Sequence, residues 1–257
     1  MLELVNINKI FNRGTVNESQ LFCNFSIKIE KGEFVSVIGS NGSGKTTMLN
    51  IISGSIPNDS GSVILDGENI TKLPEYKRAR KIGRVYQNPA VGTVGNMTIF
   101  ENLAIAESKG KKCLFTPAID RKKSDYYREL VYQLGLGLED KMNIPVELLS
   151  GGQRQALSLL MSTMTPIDLL LLDEHTAALD PKTSETIMQL TDKIVKEKGI
   201  TTLMVTHNLR YAVEYGNRIV MMHKGETVID ERGEAKERIC VDDLLGTFNS
   251  ISIECGN

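Results

Sequence analysis

The residues best suited to chemistry begin at position 39. Gly39-Ser40-Asn41-Gly42-Ser43-Gly44-Lys45-Thr46 follows the G-x-x-x-x-G-K-[ST] spacing of a loop that grips phosphates. Glycines let the chain turn tightly and aim backbone N–H groups inward, and a helix starting at the loop's end adds the positive end of its dipole. Lys45 is then placed to touch the β- and γ-phosphates of ATP, and the Thr46 hydroxyl to ligate Mg2+. Such a site also requires a carboxylate at the end of a neighbouring buried strand. Leu169-Leu170-Leu171-Leu172 delivers Asp173 there, with Glu174 adjacent. The predicted roles are the Mg2+ shell for Asp173 and orientation and deprotonation of the attacking water for Glu174. Paired acids can also simply end a strand, but the phosphate loop independently demands this element.

The surrounding pattern supplies the elements that must position these groups. Residues 34–38 are apolar and β-rich apart from Ser36, break into the glycine loop, and are followed by a helical stretch over 45–52. Upstream, Phe25, Ile27 and Ile29 alternate with polar residues as in a half-buried strand, and 2–11 looks like its antiparallel neighbour. A strand and turn centred on Asp66-Gly67 span 62–70, and 82–86 is another short strand. Thr98-Ile99-Phe100-Glu101 matches a capping box, predicting a helix through Ile105. Residues 109–117 read as a basic surface loop, and helical patterns occupy 124–134 and 152–164. After Pro166, strand and helix alternate: strand 169–172, a helix from Asp180-Pro181 to about 196, strand 202–206, helix 209–215 and strand 218–222. An amphipathic stretch at 241–248 predicts a final helix. Alternation of this kind means an α/β core with a parallel sheet.

Between the loop and the acidic pair lies Leu149-Ser150-Gly151-Gly152-Gln153. Ser150 and two glycines open a helix whose amino end offers unpaired N–H groups and partial positive charge to a γ-phosphate. With this segment in that order, the chain from 2 to about 230 resembles the ABC transporter ATPases. The resemblance implies a P-loop NTPase (RecA-like) core with a mostly parallel sheet, an antiparallel β subdomain and an inserted α-helical subdomain. The single domain over 1–257 would divide into core and β subdomain (1–90 and 165–230), helical subdomain (91–164) and C-terminal extension (231–257).

Further roles follow from the same resemblance. Gly39 to Thr46 and Thr47 would bind ATP; Ser150, Gly151, Gly152 and Gln153 would face the ATP of a second copy, giving a homodimer that sandwiches two nucleotides. Gln87 resembles the glutamine that contacts Mg2+ or the attacking water, at the hinge to the helical subdomain. Ala178-Leu179-Asp180 resembles the loop that crosses the dimer interface, and His207 the histidine that hydrogen-bonds the γ-phosphate. Phe11 is the candidate to stack on adenine, although a core Phe at a strand end would look the same. The chain departs from the family at His175, where Pro often follows the acidic pair, and at Ala177-Ala178, where Ser is more usual. For His175 a coupling role and a tolerated loop substitution both fit.

Composition agrees. The 257 residues suffice for one α/β domain with a subdomain. An apolar fraction of 41% and a charged fraction of 24% are those of an ordinary globular protein. A net charge of -2 argues against a nucleic-acid partner. Cys23, Cys113, Cys240 and Cys255 form no metal or disulfide pattern. The chain has no basic, apolar leader and no run of ~18 apolar residues, so it is expected at the cytoplasmic face of the membrane through a partner. The expected partners are integral membrane permease subunits and an extracytoplasmic substrate-binding protein. A cassette without a fused membrane domain favours import, although lipoprotein and macrolide exporters share that arrangement. Residues 148–163 and 173–181 look similar to ATPases of amino-acid uptake. Rivals are an exporter ATPase, a repair or chromosome ATPase (which would carry a long coiled coil), a translation factor (which would carry two cassettes) and a cytosolic kinase (which would lack the 149–153 segment).

Overall fold

The computed structural model describes residues 1–110 and 120–254. Most of the expected basic loop, 111–117, lies outside the described residues, as do Cys113 and Cys255. The first segment of the chain carries β1 (Leu2–Phe11), β2 (Ser19–Ile29), β3 (Phe34–Gly39), α1 (Lys45–Ser53), β4 (Ser60–Leu65), β5 (Glu68–Asn69) and α2 (Glu75–Arg78). The middle carries β6 (Ile82–Val85), α3 (Ile99–Glu107), α4 (Ser124–Tyr132), α5 (Gly151–Thr163), β7 (Leu169–Asp173) and α6 (Pro181–Lys198). The last carries β8 (Thr201–Val205), α7 (Leu209–Glu214), β9 (Arg218–His223), β10 (Glu226–Arg232), α8 (Glu234–Glu237) and α9 (Val241–Glu254). Two compact units result: Met1–Arg78 with Ile200–Asn257, and Ala79–Gly199.

The first unit holds two sheets. One is antiparallel, in the order β2-β1-β4-β5. Its strands alternate as the sequence predicts, with Phe25, Ile27 and Ile29 buried and their neighbours exposed. Asn6 and Asn24 adopt left-handed backbone (φ 50° and 52°) where the β1–β2 register shifts, a bulge that Asn tolerates better than most residues. In the other sheet β3 lies between β8 and β9, parallel to both. Every residue of β3 and β8 is buried, which is why these strands read as apolar runs rather than alternations. Ala212 of α7 and Leu244 of α9 pack with Ile38, Ile219 and Met221. The antiparallel edge strand β10 was not expected. Its mostly exposed, polar residues carry no apolar period, and Arg218 holds it by paired hydrogen bonds to the two Asp230 oxygens, each 2.7 Å.

In the second unit β6 runs parallel to β7, pairing Ile82 with Leu169 through Val85 with Leu172. Helices α3 to α6 share one apolar cluster, which includes Leu103, Tyr127, Val131, Leu157 and Ile187. Thr98 and Glu101 form the expected capping box on α3. Asp180 caps α6, Pro181 takes its first turn, and Gly199 ends it in left-handed conformation (φ 60°). This unit therefore takes in β6, β7 and α6 as well as the 91–164 segment.

Candidate functional site

In the first unit β3 ends at Gly39, and the loop over 40–44 runs directly into α1. Gly39 has φ 152°, and a Cβ there would lie 2.2 Å from the Met222 carbonyl oxygen, so the turn excludes any side chain. Gly44 stands at the N-cap of α1 in left-handed backbone (φ 106°), and no side chain caps this helix end. The partial positive charge at that end favours an anion. Lys45 is buried, and its Nζ donates to the carbonyl oxygens of Gly39 (2.7 Å) and Ser40 (2.9 Å), which folds the ammonium over the loop. Ser43 is buried, and its carbonyl accepts the Gly225 N–H at 3.0 Å. Ser40, Asn41, Gly42 and Thr46 are exposed; Thr47 is half-buried. Phe11 is half-buried at the end of β1, with Lys9 Nζ 5.3 Å from its ring centroid. His207 is exposed after β8, just ahead of Asn208, whose side chain caps α7.

In the second unit the leucine run of β7 ends in Asp173, which accepts a hydrogen bond from Arg84 Nη2 on β6 at 2.9 Å. Glu174, half-buried, follows in left-handed backbone (φ 47°). That conformation is uncommon for a non-glycine residue, and such outliers cluster at functional sites. His175 has a buried side chain, with Nε2 3.1 Å from Thr191 Oγ1 on α6. Thr191 already donates its hydroxyl proton to the Ile187 carbonyl (2.7 Å), so the proton between the two side chains sits on Nε2. Burial pushes the imidazole pKa down to about 4. Gln87 is exposed just past β6, and the Gln155 amide of α5 donates to the carbonyl of Tyr86 at 3.1 Å.

At the amino end of α5 two of the backbone donors are taken up by a capping box. Ser150 Oγ accepts the Gln153 N–H (3.3 Å) and Gln153 Oε1 accepts the Ser150 N–H (3.2 Å), so the helix caps itself. The Gln153 amide also donates to the Leu136 carbonyl at 3.2 Å. A Cβ on Gly152 would fall 2.2 Å from Thr183 Cγ2, so close packing on α6 requires glycine there. Gly151 packs less tightly on the segment before α6, since its Cβ would meet Leu179 Cδ2 at 3.2 Å. Asp180 Oδ1 accepts the Thr183 N–H at 3.1 Å, and hydrogen bonds from Thr183 hold its carboxyl below its ordinary value.

Within the first unit the residues at 39–47 converge on one helix end. Within the second, Asp173 and Glu174 share a strand end, and Ser150 to Gln153 are packed through Gly152 on the helix that Asp180 caps. Sequence reasoning missed Arg84, Gln155 and Gly225, because register and packing, not spacing, bring them to these places.

Among the described residues no group of three or more His, Cys, Asp or Glu forms a metal cage. The donors present suit Mg2+, which is commonly held by one or two carboxylates together with substrate phosphates and water. The side-chain-free turn at Gly39, the uncapped α1 and the buried ammonium suit a polyphosphate.

Residues 22–177 match the family model described as ABC transporter. The chain is 51% identical to a tyrosine transport ATP-binding protein of Clostridioides difficile, over 96% of this chain and 98% of that one. It is 34% identical to the spermidine/putrescine import ATP-binding protein PotA of Fusobacterium nucleatum, over 98% of this chain but 63% of that longer one. Among solved structures, a dimeric ATP-binding cassette in a post-hydrolysis state with ADP and Pi superposes with a TM-score of 0.77 at 31% identity, covering 90% of this chain and 98% of that one. The ADP conformation of an ABC transporter cassette gives 0.80 at 25% identity, covering 100% and 99%. The chain belongs to the ABC transporter family as an ATP-binding domain. Its fold is that of the ATP-binding cassettes: α/β with a mixed, mostly parallel sheet, an antiparallel sheet and added helices.

Proposed function

We propose that this chain hydrolyses ATP to drive an ABC importer of amino acids or related small solutes. The observation that carries the reading is the end of β3, where a side-chain-free turn, a buried Lys45 and an uncapped α1 form an anion seat. The backbone of 39–44 and Lys45 hold the β- and γ-phosphates, with Thr47 beside them and Phe11 against adenine. Thr46, Gln87 and Asp173 hold Mg2+, which supplies charge neutralisation at the phosphates. Glu174 orients and deprotonates the attacking water, and His207 hydrogen-bonds the γ-phosphate.

Ser150, Gly151, Gly152 and Gln153 close on the nucleotide of a second copy, and Asp180 lies in the segment that crosses between copies. Closure of that homodimer pulls on permease subunits, with this chain peripheral on the cytoplasmic side and an extracytoplasmic binding protein delivering the solute. Among the described residues no helix is long and apolar enough to cross a membrane. The named tyrosine-transport relative supports an amino-acid cargo. Glu174→Gln is expected to lower turnover by ~10³-fold and to trap an ATP-bound dimer in size-exclusion chromatography. Normal hydrolysis by a persistent monomer of that variant would sink the reading.

A further inference from the structure

We infer that Arg84 is the positioning residue of the metal-binding carboxylate, fixing Asp173 so that one of its oxygens is kept for the cation. The inference rests on the nucleotide-binding reading above and adds a residue that no motif contains. Arg84 sits on β6 opposite Leu171 of β7, and the parallel register brings its guanidinium to the end of the neighbouring strand. There Nη2 donates to Asp173 Oδ2 at 2.9 Å. The two side chains are only 10% and 12% exposed, so little water competes for the bond.

The guanidinium is itself held in place. Its centre lies 4.6 Å from the ring centroid of Tyr86, a stacking distance. The backbone around it is pinned from α5, because Ser162 Oγ donates to the Arg84 carbonyl at 2.9 Å and Gln155 Nε2 to the Tyr86 carbonyl at 3.1 Å. Asp173 Oδ2 is thereby committed, and Oδ1 is the acceptor that remains for the metal's shell. Ligating carboxylates are commonly oriented by such outer hydrogen bonds, and Mg2+ tolerates little departure from octahedral geometry. Arg84 thus acts through Asp173.

The test uses the full chain carrying Glu174→Gln, so that nucleotide is not consumed. Mn2+ affinity is read by electron paramagnetic resonance in the presence of ATP, and ATP affinity separately in EDTA. Arg84→Gln, which keeps a donor but removes the charge and the fork, is expected to weaken Mn2+ binding by about tenfold, with ATP affinity in EDTA unchanged. Arg84→Lys is expected to lie between it and the parent. If Arg84→Gln fails to fold, Arg84→Lys decides alone by the same split. Unchanged Mn2+ affinity, or ATP affinity falling in step with it, overturns the inference and leaves Arg84 a structural ion pair. A parent protein that binds no ATP even in EDTA would instead refute the nucleotide-binding reading.

Discussion

Helix α1 has Gly44 at its N-cap and no capping side chain, whereas α5 has Ser150 at its N-cap in a reciprocal cap with Gln153. The contrast extends to the residues around each. Ahead of α1 the buried Lys45 ammonium donates to carbonyl oxygens of its own loop, a partnership that phosphate oxygens readily replace. Around α5, polar groups are spent on the unit itself: Gln153 on Leu136, Gln155 on Tyr86, Asp180 on Thr183 and His175 on Thr191. A helix end with open donors can bind an anion unaided. A self-capped end has fewer open donors. In the first region the helix end lacks a side-chain cap, and in the second the polar side chains are bonded within their own unit.

The largest effect expected from this contrast is an acid sensitivity confined to the second region. Because burial holds the His175 pKa at about 4 in the folded state, protons bind the unfolded chain and not the folded one between about pH 6.5 and 4. The stability contribution is fully present above that window, falls as pH drops through it, and levels off below; it amounts to ~3 kcal/mol. Thermal melts of metal-free protein from pH 7 to 4 should show this limb, and His175→Asn should flatten it. An unchanged limb in the variant would remove His175 from the self-bonded network.

Next is Lys45→Met, which removes the charged donor of the first region. ATP binding measured by calorimetry should weaken by ~30-fold, about 2 kcal/mol, with melting without nucleotide little altered. A large melting shift with unchanged ATP affinity would mean that α1 is stabilised, not left open, by that ammonium. Gly152→Ala should cost ~1.5 kcal/mol in denaturant unfolding through the clash with the Thr183 methyl group, and Gly152→Ala with Thr183→Ser should recover most of it. Failure of that rescue would separate α5 from α6. Smallest is Ser150→Ala, losing about 1 kcal/mol of stability with the cap while ATP binding by a single copy stays unchanged. Equal loss of that binding would show that the α5 end serves its own chain, and the two helix ends would then no longer be opposites.

Much of the fold was legible because local rules and tertiary structure agree. The fully buried β3 and β7 appear as apolar runs, Thr98-Glu101 and Asp180-Pro181 announce helix starts, and the Gly39 to Thr46 spacing marks the anion seat. The elements not foreseen lack any such signal. Strand β10 is nearly all exposed, and α2 and α8, four residues each, are too short to display a helical period. His175 shows what adjacency in sequence leaves open: it follows Glu174 directly, and its ring is buried against α6.

The residue string by itself determined the phosphate-loop spacing, the acidic strand end and the alternating order of strands and helices, since each depends on neighbours within a few positions. Tertiary structure alone decided that Arg84 meets Asp173, that Gln155 steadies the backbone before Gln87, and that Gly225 braces Ser43. Those pairs stand tens of residues or more apart, and sheet register and helix packing, which no local periodicity encodes, bring them within hydrogen-bonding reach.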